Sequence, residues 1–343
     1  MGSLRIQSNL GVIKLVEDVK SMSALNAINL TIVEEMERDE SIFIMGEDIG
    51  ITGGAFGVTA GLLERFGAER VRETPISENA ILGCAIGAAM VGMRPIAEIM
   101  FADFLTVCME MIVNQAAKAR YMYGGQISVP VTIRTPFGAG FSAAAQHSQS
   151  FESWFMHVPG LKVVVPSDPR DFKGLLKTAI RDDDPVIFFE NKQLYFQIGD
   201  VPLDKDFMIP FGQARKFTEG DDVTIVATGA MVKESVNAAM KLKEEKVQCE
   251  VIDPRTLVPL DKQTILNSVE KTGKLLIVDE GCKTCSVSAE IAAMVAEDGF
   301  QYLKKGIIRL NTPDVPIPYA PNLEKSILPN AKLIQQNVKK LIE

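Results

Sequence analysis

The chain has 343 residues, 47% of them hydrophobic, and carries 36 Lys and Arg against 44 Asp and Glu for a net charge of −8. At roughly 100 to 200 residues per domain, that length suits about two domains with full cores. The acidic balance excludes a nucleic-acid or anionic-membrane surface, which needs clustered Lys and Arg, and points to small molecules and other proteins as partners.

Residues 1–22 include Lys14, Glu17, Asp18 and Lys20 and have neither a continuous apolar core nor a small-residue cleavage pattern. They do not read as a secretion signal, and an N-terminal extension of a cytoplasmic protein is expected there. Beyond it, β-branched runs recur at "SIFIMG" (41–46), "VPVTIRT" (129–135), "LKVVVP" (161–166) and "PVIFFE" (185–190). Helical stretches lie between them at 80–92, 104–121 and 171–180. Strands alternating with helices predict an α/β domain built on a parallel sheet. Ser167 or Asp168 is the expected cap of the third helix, with Pro169 suited to its first turn. The uncharged, mostly apolar run at 80–93 has 14 residues, short of the roughly 20 that span a bilayer, so no membrane partner is expected.

The stretch 197–212 gathers Pro, Gly and acidic residues without periodicity, as a linker does. It separates an expected first domain at 23–200 from a second at 216–343, with 201–215 between them. The second unit repeats the α/β pattern, with strands at 222–229, 248–253, 274–280 and 306–311 and helices near 231–245, 261–271 and 286–297.

Five scattered cysteines, Cys84, Cys108, Cys249, Cys282 and Cys285, make no disulfide framework and fit a reducing compartment. "CKTC" (282–285) is a single Cys-x-x-Cys and reads as small-residue packing at a helix start before it reads as redox or metal chemistry. The only histidines, His147 and His157, stand ten residues apart. Along a helix that is about 15 Å, too far to share one zinc ion. "GAGFSA" (138–143) has the spacing of a dinucleotide fingerprint, but three residues separate it from the strand and the acidic residue Asp168 comes 30 residues on. The fingerprint needs a tight turn and about 20 residues, so nicotinamide binding is set aside.

Glu78 opens a helix of Ala, Gly, Ile and Leu in "ETPISENAILGCAIGAAMVG" (73–92). A carboxylate there is ordinarily a favourable end charge. The small, uncharged surface behind it also lets a flat ligand or another backbone approach, and a carboxyl so placed suits proton transfer. His147 follows a glycine-rich turn among Ala, Gln and Ser, near the strand ends where open α/β sheets bind ligands. It reads as catalytic or as a hydrogen-bonded structural residue, whereas His157, just before "VPG", reads as structural.

Taken together, "ERDESIFIMGEDIG", "GGAFGVTAGLLERFG", "ETPISE", "GMRPIAEIMFADF", "NQAAKARYMYGG", "AAAQHSQSFE" and "PGLKVVVPSDPRDFKGLLKTAIRDDDPVIFFE" resemble the β subunit of thiamine-diphosphate-dependent 2-oxo acid dehydrogenases. The likeness runs from about Ser23 to the C-terminus, and "MFADFLTVC", "RYMYGG", "IRTPFGAGFSAAAQHSQ" and "CSVSAEIAAMVAED" are most like the acetoin dehydrogenase member. Pyruvate and branched-chain members are the alternatives. A non-catalytic assembly subunit, docking through the C-terminal domain and the tail "AKLIQQNVKKLIE", is another.

The resemblance implies a transketolase-like pyrimidine-binding domain followed by a transketolase C-terminal α/β domain. It further implies an α2β2 heterotetramer with thiamine diphosphate at each α/β interface, delivering a two-carbon unit to lipoamide on an acyltransferase component. Members of the wider family grip the diphosphate and its Mg²⁺ with a Gly-Asp-Gly segment. This chain contains none, so the oxygen ligands that Mg²⁺ requires fall mainly to the α subunit. By the same resemblance Glu78 is the cofactor-activating carboxylate, hydrogen-bonded to the pyrimidine ring so that its exocyclic nitrogen can take the thiazolium proton. Phe104 corresponds to the aromatic that stacks on that ring, Ile76 and Met100 line the same apolar pocket, and His147 faces the substrate and the incoming lipoyl group. Val131, Ala179, Ile180, Asp182 and Asp184 match a potassium site of some relatives. Two positions depart from the family pattern: Glu73 replaces the usual Asp of "DTPI", and Pro254 stands where Leu is common.

Overall fold

The computed structural model describes residues 18–343, and residues 1–17 of the expected extension lie outside them. The described chain begins with β1 (Val19–Ser23), α1 (Ala24–Arg38), β2 (Ile42–Glu47), α2 (Leu62–Phe66), β3 (Val71–Thr74), α3 (Glu78–Met90) and β4 (Arg94–Glu98). A 3-10 segment at Ala102–Cys108 and a π-helical segment at Met111–Ala116 lead into α4 (Ala117–Met122). There follow β5 (Thr132–Phe137), α5 (Glu152–Met156), β6 (Lys162–Val164), α6 (Pro169–Arg181), β7 (Val186–Asn191) and β8 (Ile198–Pro202). The second half opens with β9 (Arg215–Thr218), β10 (Val223–Ala227), α7 (Ala230–Glu244), β11 (Cys249–Asp253), β12 (Thr256–Val258) and α8 (Lys262–Thr272). It closes with β13 (Leu275–Cys282), α9 (Val287–Asp298), β14 (Ile308–Thr312), α10 (Pro321–Ile327) and α11 (Ala331–Ile342).

The strands form a seven-stranded sheet ordered β12-β6-β7-β5-β4-β2-β3 and a five-stranded sheet ordered β14-β13-β10-β11-β9. Both are parallel except at one edge, where β12 and β9 run antiparallel to their neighbours. Strands such as β2, β5, β7 and β10 are buried along their whole length. A sheet covered on both faces selects such unbroken apolar runs over alternation, which is why the expected strands at 41–46, 129–135, 185–190 and 222–229 coincide with observed ones to within a few residues. Each of the two main hydrophobic cores draws residues from both sheets, Ile133 and Ile187 with Ile252 and Ile277 in one, Ile44 and Phe188 with Ile225 and Leu276 in the other. In the first sheet the chain leaves β2 toward β3 on one side and later places β4 on the other. That reversal opens a crevice at the carboxyl ends of β2 and β4, where open α/β sheets hold ligands.

Several expectations change. Residues 19–22, placed in the extension, form β1, which pairs antiparallel with β8 and so ties residues 198–202 into the body as well. The single helix expected at 104–121 is three segments of 3-10, π and α type. Asp168, not Ser167, caps α6, accepting the Asp171 amide at 2.8 Å, while Ser167 donates its hydroxyl to Asp253. The turn at Pro254 carries the chain from β11 of one sheet to β12 on the edge of the other, with Arg255 at φ 61° donating its amide to Asp253 Oδ1 at 2.7 Å. The helix α1 packs on α6 through a buried ionic network in which Lys173 and Lys177 reach Glu34 at 3.0 and 2.6 Å and Arg181 reaches Glu35 at 2.8 Å.

Candidate active site

Glu78 is the first residue of α3, behind a Ser77 cap that offers no side-chain hydrogen bond. Its side chain is 8% exposed, and the helix behind it presents Ile81, Leu82 and Ala85 to the core. Glu47, the last residue of β2, lies beside it: burial first, and then the charge of Glu78, push the Glu47 carboxyl above the usual carboxylate range, while the Ser77 amide opposes them. Glu47 Oε1 is buried with no hydrogen-bond partner, an orphaned acceptor at the mouth of the crevice. The same charge, after burial, lifts the Cys108 thiol to about 12, which keeps it protonated and unreactive.

Against this carboxyl pair stands a cluster of rings. The segment after β4 brings Phe101 and Phe104, whose centroids are 6.1 Å apart, and the loop after β5 brings His147 edge-on to both, at 4.8 and 5.5 Å. Phe104 and His147 are half-buried. Two links fix this loop against the cluster. Asp103 Oδ1 accepts the Gln149 side-chain amide at 2.7 Å, and the Lys192 ammonium donates to the His147 carbonyl oxygen. Lys192 is 1% exposed, and its ammonium lies 5.2 Å from the Phe101 ring centroid. Burial brings its pKa down to about 8 against the pull of Asp103, Glu280 and Glu324. Beneath the crevice Arg134 is clamped between Glu98 at 2.6 Å and Glu190 at 2.7 Å, with Tyr195 donating to Glu190.

The structure therefore gathers Glu78, Phe104 and His147 at one end of one sheet, with Met100 half-buried in the segment between them. Ile76, expected to line an enclosed pocket, is instead 82% exposed. His157, expected as a structural residue, is exposed at the end of α5. "GAGFSA" forms no strand–turn–helix unit, since the next helix, α5, begins only at Glu152. Cys282 and Cys285 are exposed free thiols just before α9.

Sequence reasoning passed over Glu47, Phe101, Lys192 and a cavity of about 530 Å³ between the 145–154 loop and the 279–287 segment. The Ser148 hydroxyl on that wall has no partner, and burial, then Asp279 and Glu280, hold the Glu152 carboxyl well above its ordinary range. Glu47, Phe101, Ser148 and Glu152 stand inside the quoted stretches but carried no role there, and Lys192 lies just beyond them; their roles emerge only when the ends of different strands are brought together. Of the expected potassium ligands, Asp182 and Asp184 take the Lys162 ammonium at 2.6 and 3.2 Å, and Arg120 joins Asp184. Arg94 donates to the carbonyls of Ile180 and Asp182, and the Val131 and Ala179 carbonyls accept amides at 3.0 and 3.2 Å. Three cationic side chains, Lys162, Arg120 and Arg94, thus contact that turn.

The crevice fits half of a cofactor. A carboxyl at a helix start beside an apolar, ring-lined surface suits a flat nitrogen heterocycle, to which it can donate or accept one hydrogen bond. A diphosphate is poorly served here: Glu47 beside Glu78 feels the charges of both Glu78 and Asp48, and anions bind where amides and cations converge.

Residues 20–197 match the family model of the transketolase pyrimidine binding domain, and residues 212–334 that of the transketolase C-terminal domain. The chain is 47% identical to the 2-oxoisovalerate dehydrogenase subunit beta of Bacillus subtilis, over 94% of this chain and 99% of that relative. It is 48% identical to the acetoin:2,6-dichlorophenolindophenol oxidoreductase subunit beta of Cupriavidus necator, over 94% and 98%. It is 45% identical to the pyruvate dehydrogenase E1 component subunit beta of Rhizobium meliloti, over 94% and 70%. A solved split-gene transketolase, an inactive beta4 tetramer, superimposes with a TM-score of 0.76 over 94% of this chain and 98% of that one at 22% identity, a likeness of fold alone.

Proposed function

We infer that this chain, which belongs to the β subunits of the thiamine-diphosphate-dependent first component of 2-oxo acid dehydrogenase complexes, supplies the proton-handling half of an active site completed by an α subunit. The observation that carries this is the pairing of Glu78 with a ring-lined, half-open crevice whose neighbouring acids, Glu47 and Asp48, disfavour a diphosphate. The thiamine group, when bound, supplies the carbanion chemistry. Glu78 holds and moves a proton at the edge of its pyrimidine ring, in low polarity that strengthens the contact. Phe104 packs on the face of that ring, with Ile76 and Met100 beside it. Ile76 is covered only on assembly. The diphosphate and its Mg²⁺ are assigned to the α subunit, in an α2β2 arrangement.

Among substrates we propose acetoin, cleaved to acetaldehyde and a two-carbon unit that passes to lipoamide on an acyltransferase partner. His147, edge-on to Phe101 and Phe104 beside the crevice, is the proton donor for that transfer. The charge of the crevice supports an uncharged substrate. Glu47, Asp48, Glu78 and Asp103 make this wall acidic, unfavourable to the carboxylate of a keto acid, and the buried cations beside it are engaged, Lys192 with the His147 carbonyl and Arg134 with Glu98 and Glu190. The comparisons leave the substrate open, at 45 to 48% identity for all three classes. The free cysteines among the described residues support a cytoplasmic reading. The experiment is turnover of the reconstituted α/β pair on acetoin, pyruvate and a branched-chain keto acid. Acetoin is expected to lead in kcat/KM by at least about tenfold, or about 1.4 kcal/mol of discrimination. Preference for either keto acid overturns the substrate assignment and leaves the family in place.

A further inference from the structure

The loop that carries His147 is built against its own conformational preference. Gly138, Gly140, Ser142 and Ala144 all take left-handed φ angles, of 89°, 95°, 52° and 59°. For the serine and the alanine that conformation is unfavourable and persists only where the surroundings over-determine it. The over-determination comes largely from outside the first sheet. Glu280, at the end of β13, accepts the Ala139 amide and, at 2.8 Å, the Asn191 side chain. Glu324, on α10, accepts the Gly140 amide at 2.7 Å through one carboxylate oxygen and the Ser142 amide at 3.0 Å through the other, with the Ser142 hydroxyl at 3.4 Å.

Glu324 is 2% exposed and forms no ion pair with a Lys or Arg among the described residues. A buried carboxylate with no direct ion pair is held by its hydrogen bonds, here to neighbouring amides of a nest-like turn that also favours an anion, with the Lys192 charge farther off. Apolar packing registers the same docking, since Ala139 of the loop shares a small buried cluster with Ile317 and Leu328 that flank α10. On the far side of the loop Lys192 holds the His147 carbonyl, so the segment is pinned at both ends.

We propose that Glu324 is a positioning residue for His147: its carboxylate sets the course of residues 138–147 and thereby the place of the imidazole against Phe101 and Phe104. The inference rests on the assignment of His147 to the transfer step. The C-terminal half of the chain then takes part in the reaction through geometry, contributing no atom that touches substrate.

The test uses the reconstituted α/β complex with whichever of the three substrates the wild type turns over, read with free lipoamide and with a dye acceptor. Glu324→Gln keeps the shape but turns an NH2 group toward one of the two amides. The expected result is a fall of about 10- to 100-fold in kcat with lipoamide, the scale of a displacement near 1 Å, with dye reduction, assembly and melting temperature nearly unchanged. A double variant with His147→Ala should lose no more than His147→Ala alone. Equal losses with both acceptors, or multiplying losses in the double variant, overturn the positioning role. If His147→Ala leaves lipoamide transfer intact, the parent assignment fails instead. Should Glu324→Gln not assemble, Glu324→Asp decides by the same ratio of lipoamide to dye rates, an unchanged ratio counting against the proposal.

Discussion

Two acids and three rings converge at the crevice between β2 and β4. Glu78 provides the group poised for proton transfer, Glu47 keeps a partnerless oxygen beside it, and Phe101, Phe104 and His147 supply an apolar, edge-on frame. If Glu78 moves the proton, then Glu78→Ala in the assembled complex lowers turnover by about 10²- to 10⁴-fold, the range for a lost acid–base group, with assembly by size-exclusion unchanged. Full turnover in that variant removes the assignment. At this scale the sequence was legible where a residue sits in a contiguous signature: "ETPISE" and "AQHSQ" carry Glu78 and His147. Lys192 and Glu324 were not legible. They reach the same loop from 45 and 182 or more residues away, and no local pattern encodes a contact made through the fold.

Elements show the same division. Strands β2, β5, β7 and β10 follow from runs rich in β-branched and apolar residues, whereas β3, β8 and β9 are short and largely polar or exposed, and pairing alone makes them strands. Helix α1 escaped notice because its buried face includes Glu34 and Glu35, charges acceptable inside only with Lys173, Lys177 and Arg181 opposite. The expected docking tail is α11, whose apolar stripe of Ile334, Val338 and Leu341 is spent inside the chain, against α7. Ile334→Ala should therefore cost about 2 to 5 kcal/mol in chemical unfolding without weakening subunit association; weakened association at unchanged stability would favour a docking role. The joint between β11 and β12 gives a pH-dependent prediction. Burial, then the nearby Asp171, raises Asp253 to about 7, above the roughly 3.9 of an unfolded chain. The native state thus holds the extra proton, a contribution present at low pH and lost as pH rises through 7. Asp253→Asn imitates the protonated acid, so its stability relative to wild type should grow by on the order of 2 kcal/mol between about pH 5 and about pH 8. A constant difference across that range contradicts the buried titration.

For the molecule as a whole, the two sheets share both cores, and the second half reaches back to shape the loop beside the crevice, yet the crevice stays open. Ile76 at its rim is 82% exposed, and under the proposed assembly the α subunit covers it. The fold class was legible in the alternation of strands and helices; the proposal that an α subunit holds the diphosphate began in the sequence as a missing Gly-Asp-Gly segment and is supported by the acids Glu47 and Asp48 beside Glu78. The most direct measurement is calorimetric titration of thiamine diphosphate with Mg²⁺ into this chain alone and into the chain reconstituted with its α partner. The account predicts heat of binding only for the pair, with the isolated, folded chain silent up to millimolar ligand. Stoichiometric, magnesium-dependent binding to this chain by itself would contradict it.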